Sequence, residues 1–307
     1  MAFFRRSDKG NYDLWSGHAW YVPGVSGMFM MLLMLIAGGL LGNIVTAVMV
    51  AALGQDLGME YGMLVAYPVM FIPPIIYAGS QSSRNMTFET GYELDSKNFA
   101  PLSGWFLALL CAIGTMALAF CMDAVNEQMP PMPEWLEQML GSMTTGKFWV
   151  NFLSVSIMAP IFEEWLVRGI VLRGLLNYKK KDGTTMAPAL AIVVSALYFA
   201  VIHANPWQAV PAFALGCLFG YVYWKTGSLK LTMLMHFTNN TLALALGQID
   251  SLSEYDNWMD VLGPAAYWAI FAAGILFLVF FFMEFRKITL PRPQGGSTEI
   301  PTEETSF

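Results

Sequence analysis

Two adjacent carboxylates and a guanidinium, Glu163, Glu164 and Arg168, lie inside a stretch otherwise apolar enough for lipid. A charged group at mid-bilayer depth costs roughly 2.5–3.5 kcal/mol unless paired, and a purely apolar helix would span better. Glu164 and Arg168 are spaced i,i+4, so they share one helical face and can neutralise each other. Glu163 is turned about 100° away on the same turn. This spacing predicts Glu164 as a scaffold group and Glu163 as the working carboxylate. Phe199 and His203 repeat the i,i+4 interval just before Asn205-Pro206. His236 and Asn240 repeat it again, with Asn239 alongside, and His18 is the remaining histidine. Peptide hydrolysis needs an activated water, donors for an oxyanion and a proton for the leaving amine. A carboxylate and an imidazole suit the first task, and a neutral imidazole and a carboxamide suit the second. Singly, an intramembrane histidine or asparagine is ordinary interhelical glue, worth about 0.6 kcal/mol. A Glu–Arg pair alone is a packing lock. Their conjunction in one half of the chain points to a functional site.

Helices must carry these side chains. Apolar residues make up 56% of the 307 and charged residues 12%, against roughly 25% charged in soluble domains. A spanning helix needs about 20 mostly apolar residues. Eight segments qualify: 25–53, 61–78, 102–122, 148–176, 186–203, 206–224, 229–247 and 264–284. The expected fold is therefore an all-α polytopic membrane protein of eight transmembrane helices, with a catalytic bundle in the C-terminal half. Pro68, Pro73 and Pro74 predict kinks in the second segment, and Pro211 in the sixth.

Charge sorts by loop. Of 16 basic residues, 14 fall on one side of such a bundle, Arg168 is intramembrane and Lys147 alone is opposite. The positive-inside rule then places both termini in the cytoplasm, in a plasma (inner) membrane. Residues 1–24 read as a cytoplasmic, interfacial lead-in containing Tyr12, Trp15, Trp20 and Tyr21, without a signal-peptide pattern. Residues 25–122 form three accessory helices, and 123–147 an extracytoplasmic loop with a short surface helix over 134–143. Residues 148–247 are the catalytic core, 248–286 a loop and the eighth helix, and 287–307 a disordered cytoplasmic tail. Cys111, Cys121 and Cys217 sit in apolar segments and read as small fillers, neither ligands nor disulfides. No basic patch with interleaved aromatics is present, which argues against nucleic acid. The expected partners are membrane lipid and a protein or peptide substrate.

Glu163-Glu164-x-x-x-Arg168, Phe199-x-x-x-His203 and His236-x-x-x-Asn240 occur in that order and resemble the three motifs of the CPBP intramembrane proteases. That family processes CAAX proteins and bacteriocins and includes the Rce1-type prenyl endopeptidases and the Abi proteins. The resemblance covers about 148–247. It implies an intramembrane endopeptidase that cuts near the C-terminus or in the membrane-embedded part of a protein or peptide, lipidated or not. By the same resemblance, Glu163 and His203 position and deprotonate the water, and His236 and Asn240 donate to the oxyanion. Glu164 and Arg168, with Phe199, would support the framework. A zinc version stays open, because Glu163, His203 and His236 form a catalytic ligand set with one position left for water. The His-Glu-x-x-His spacing that would specify zinc is absent. Rival readings are a catalytically idle scaffold or bacteriocin-immunity factor, and a proton-coupled transporter, which usually carries inverted repeats not found here. One tension stands. At 1.5 Å per residue, His236 lies about 9 Å deep, Glu163 about 15 Å and His203 about 20 Å. Tilt, or a kink at Pro160, would have to close that gap.

Overall fold

A computed structural model describes residues 21, 23–85, 94–97, 99–136, 146–177, 184, 186–249, 252 and 257–289. The regular elements among them are all helical. The lead-in over 1–20, most of the surface helix expected over 134–143, and the tail beyond 289 lie outside the described residues.

Helices α1 (Val25–Leu53) and α2 (Gln55–Asn85) form a hairpin joined at Gly54 alone, where φ of 85° suits glycine. The loop expected around Asp56 and Glu60 is thus already helix. Asp56 sits in its first turn, where a carboxylate complements the helix dipole. Pro68, Pro73 and Pro74 all lie inside one continuous helix. Pro74 has no N–H for the carbonyl of Met70, and α1 closes on that carbonyl. A Cβ at Gly38 would stand 1.9 Å from Met70 O, and one at Gly42 would stand 3.1 Å from Ala66 O. The Gly38-x-x-x-Gly42 interval thus lets two backbones touch.

Helix α3 (Gly104–Asn126) is capped by Ser103, whose side chain accepts from Phe106 N. The helical run α4 covers 148–177 in five consecutive pieces, from Phe148–Asn151 to Arg173–Asn177. Then follow α5 (Pro188–Ile202), α6 (Pro206–Thr226), α7 (Leu229–Leu246), the short α8 (Trp258–Leu262) and α9 (Pro264–Arg286). Asn205 caps α6, Ser228 caps α7, and Asn257 caps α8.

Two of the apolar cores tie the helices together. Leu107, Cys111, Phe219, Met235 and Phe281 join α3, α6, α7 and α9, while Met31, Phe71, Trp165 and Ile170 join α1, α2 and α4. Large apolar residues face outward elsewhere, among them Leu40 at 62% and Leu276 at 71% exposure. That pattern fits lipid. Among the described residues, four helical stretches are long and apolar enough to cross a membrane: Val25–Leu53, Gln55–Gln81, Gly104–Asn126 and Pro264–Arg286. Pro188–Ile202 is apolar but shorter. The chain is an integral membrane protein, and four of the eight expected spans meet that length and hydropathy.

Two basic residues deserve separate placement. Arg173, read from sequence as a loop cation, is fully buried in α4, and its Nη2 donates to Tyr21 O at 3.2 Å. Lys147 clamps α4 to α2: its Nζ donates to Tyr61 Oη at 3.1 Å and lies 3.5 Å from Glu60 Oε2. The Tyr61 hydroxyl, helped by the Glu60 charge, holds the ammonium above its ordinary range. The three cysteines are unpaired.

Candidate active site

The geometry of α4 decides where its glutamates point. Ala159 N–H bonds Ser154 O, five residues back, so the run widens into π-helix over Phe152–Met158. It widens again over Trp165–Leu172, where Arg173 N–H bonds Arg168 O. Glu163 and Glu164 occupy the α-helical piece between these stretches, Ala159–Glu164. π-Turns inside α-helices mark functional positions often enough to warrant a search for their cause. Here the cause is local. In the π register Val155 O would next take the N–H of residue 160, which is proline and has none. Asn240 Nδ2, from α7, supplies that donor at 2.8 Å.

Glu164 and Arg168 form the pair their spacing predicts, with Arg168 Nη1 2.8 Å from Glu164 Oε1 and both side chains fully buried. Arg168 Nη2 also donates to Gly216 O at 3.1 Å. Its guanidinium lies 4.6 Å from the centre of the Phe199 ring and 5.3 Å from that of Phe219. A buried cation is thereby spread over one carboxylate, one carbonyl and two aromatic faces.

Glu164 does a second job. Its Oε1 accepts from His236 Nδ1 at 3.0 Å. A carboxylate can only accept, so Nδ1 carries the proton and Nε2 is left facing Glu163 Oε2 at 3.9 Å. Both glutamates therefore converge on one imidazole. Glu163 Oε1 accepts from the hydroxyl of Tyr67 on α2. Glu163 Oε2 is buried and has no hydrogen-bond partner among the described residues.

His203 closes the last turn of α5. Its Nδ1 is 2.7 Å from Phe199 O, and its ring stands edge-on to Phe199 at 4.8 Å. Ala204 follows with φ of 52°, a left-handed conformation that turns the chain sharply into the Asn205 cap. The His236 ring stands against Phe199 as well, at 5.6 Å. Phe199 thus touches Arg168, His203 and His236, so the motif residue expected to play only a supporting part is the hub of the cluster. No hydrogen bond joins His203 to Glu163 among the described residues; the imidazole facing Glu163 is that of His236. The depth mismatch anticipated along the sequence is absent for this second pair. Asn239 Nδ2 donates to Asn240 Oδ1 at 3.1 Å. Asn239 also lines an apolar cavity of about 600 Å³ between α3, α7 and α9.

Sequence reasoning missed Tyr67. It treated the first helices as accessory, and one tyrosine before a proline carries little signal. It also missed the second partner of Asn240. Among the described residues no three His, Cys, Asp or Glu side chains group as ligands for a metal ion.

Residues 145–242 match the family model described as type II CAAX prenyl endopeptidase Rce1-like. The match spans about a third of the chain. The matched segment contains all three motifs and every polar contact of this cluster except that of Tyr67. No curated protein and no solved structure matches the chain. The matching model is that of a protease family, and the likeness supports peptidase activity.

The Asn240–Val155 bond makes a prediction for the Rce1-like segment. Asn240→Leu removes a bond that lies in an exposed part of the structure and should lower stability by about 0.5–1.5 kcal/mol. Thermal unfolding in lipid or detergent measures it, and an unchanged midpoint would show that α4 does not need this donor.

Proposed function

We propose that the chain is an intramembrane endopeptidase in which Glu163 activates the attacking water. One observation carries the reading: Glu163 Oε2 and His236 Nε2, on different helices, face each other across 3.9 Å while Glu164 holds the far side of the imidazole. In the neutral ring both facing atoms are acceptors. A water about 2.8 Å from each would give one proton to either side. Its oxygen then attacks the scissile carbonyl carbon while Glu163 takes the proton. The carbonyl oxygen becomes an oxyanion. Asn240 has a second N–H besides the one given to Val155, and that donor meets the developing charge. Collapse breaks the C–N bond, and the proton held by Glu163 passes to the leaving amine. His203, held at Nδ1 by the Phe199 carbonyl, keeps Nε2 as an acceptor for the water or the amine.

The same reading assigns all eight helical segments to the bilayer, with both termini cytoplasmic in a plasma (inner) membrane. It divides the chain into accessory helices over 25–122, a catalytic core over 148–247 and a final helix within 248–286. Its substrate is the C-terminal or membrane-embedded part of a protein or peptide. The apolar cavity next to Asn239 suits a substrate that carries a hydrocarbon chain.

The test compares membranes with and without the protein for new peptide termini by mass spectrometry. New termini near C-termini or inside spans are expected with the protein present, and the same termini after exhaustive chelation. No new termini would sink the peptidase reading. Loss on chelation with recovery on zinc would sink its metal-free form.

A further inference from the structure

We propose that Tyr67 is a positioning residue for Glu163, so that the α1–α2 hairpin, outside the Rce1-like segment, completes the active site. This inference rests on Glu163 being the base. Its side chain has three rotatable bonds, and a carboxylate free to turn would spend little time in one productive orientation. The neighbouring charges do not hold it. Arg168 is committed to Glu164 and Gly216 O, and His236 Nδ1 is committed to Glu164 as well. His203 is committed at Nδ1 to Phe199 O. The Tyr67 hydroxyl is the hydrogen-bond donor Glu163 has among the described residues. It occupies Oε1 and leaves Oε2 for His236 and a water.

Tyr67 is itself fixed. Its ring lies 5.7 Å from that of Phe71, one turn on along α2, and Phe71 stacks on Phe162 at 5.1 Å. Two residues spaced i,i+4 on α2, Tyr67 and Phe71, therefore meet two consecutive residues on α4, Glu163 and Phe162. Such a two-point contact sets both the rotation and the height of α4 against α2. The clamp from Lys147 to Glu60 and Tyr61 ties the same two helices at their far ends. Packing alone would be served by phenylalanine; the hydroxyl has one partner, and it is the carboxylate.

The experiment is Tyr67→Phe in the full chain, in lipid vesicles. Turnover should fall about 10- to 100-fold, with KM within about twofold and only a small drop in the thermal midpoint. A merely structural tyrosine would move the midpoint or KM without that fall in turnover, or nothing at all, and any of these overturns the proposal. A second readout does not need activity. Dicyclohexylcarbodiimide attacks carboxyl groups within the bilayer, and its labelling of Glu163 should rise in Tyr67→Phe but not in Tyr77→Phe, whose ring packs on Tyr21. Equal labelling of Glu163 in wild type and Tyr67→Phe also overturns the contact. If the wild-type protein cuts nothing, the peptidase reading falls and labelling alone decides whether Tyr67 holds Glu163.

Discussion

Glu163→Gln abolishes peptide hydrolysis, with an expected loss in turnover of at least about 10³-fold, while the protein folds as before. The amide has the shape of the carboxylate. It still accepts from Tyr67 at Oε1, and its nitrogen faces His236 Nε2 at the present 3.9 Å, a gap that a water bridges rather than a direct hydrogen bond. What it cannot do is take a proton from water. Because the contacts survive, substrate should still bind, and processing intermediates should accumulate in membranes that carry the variant. Single-turnover cleavage in vesicles, with thermal unfolding as a control, reads both halves of the expectation. Undiminished cleavage by a well-folded Glu163→Gln protein would remove this glutamate from the chemistry.

Arg168→Met should be the most destabilising single change in the bundle. It leaves Glu164 fully buried with its counter-charge gone, a loss of about 3–5 kcal/mol for a broken buried pair. The loss extends to the Gly216 carbonyl and to the faces of Phe199 and Phe219, which all give up a partner. Adding Glu164→Gln to Arg168→Met should restore much of the stability, because no unpaired charge remains. It should not restore activity, since an amide holds His236 less firmly than a carboxylate does. Unfolding midpoints for the two single variants and the double variant check this. Equal stability of Arg168→Met and wild type would mean that the pair does not lock α4.

Both predictions draw on features readable before any coordinates. The i,i+4 intervals of Glu164 with Arg168, Phe199 with His203 and His236 with Asn240 define faces by helical periodicity alone. The structure places each pair on one face, with direct contacts inside the first two. The close approach of α1 to α2 at Gly38 and Gly42 was not anticipated and came from the structure. The short α8 falls where the sequence reading expected loop.

Other features resist such reading. Arg173 looks like a loop cation, because a basic residue after an apolar run normally meets water; a carbonyl from the segment before α1 makes its burial tolerable. Lys147 breaks the charge pattern for a reason held by Glu60 and Tyr61, far away in sequence.

The sequence by itself determined the helical character, the membrane-adapted surface, and the set of ionisable groups that share helix faces, since each follows from local composition and a 3.6-residue period. Only the tertiary structure decided that Glu163 faces His236 rather than His203, that Tyr67 reaches in from α2, and that Asn240 completes the π-turn Pro160 leaves open. Those contacts depend on how far each helix slides and rotates about its own axis against its neighbours. Spacing within a helix carries no record of either quantity.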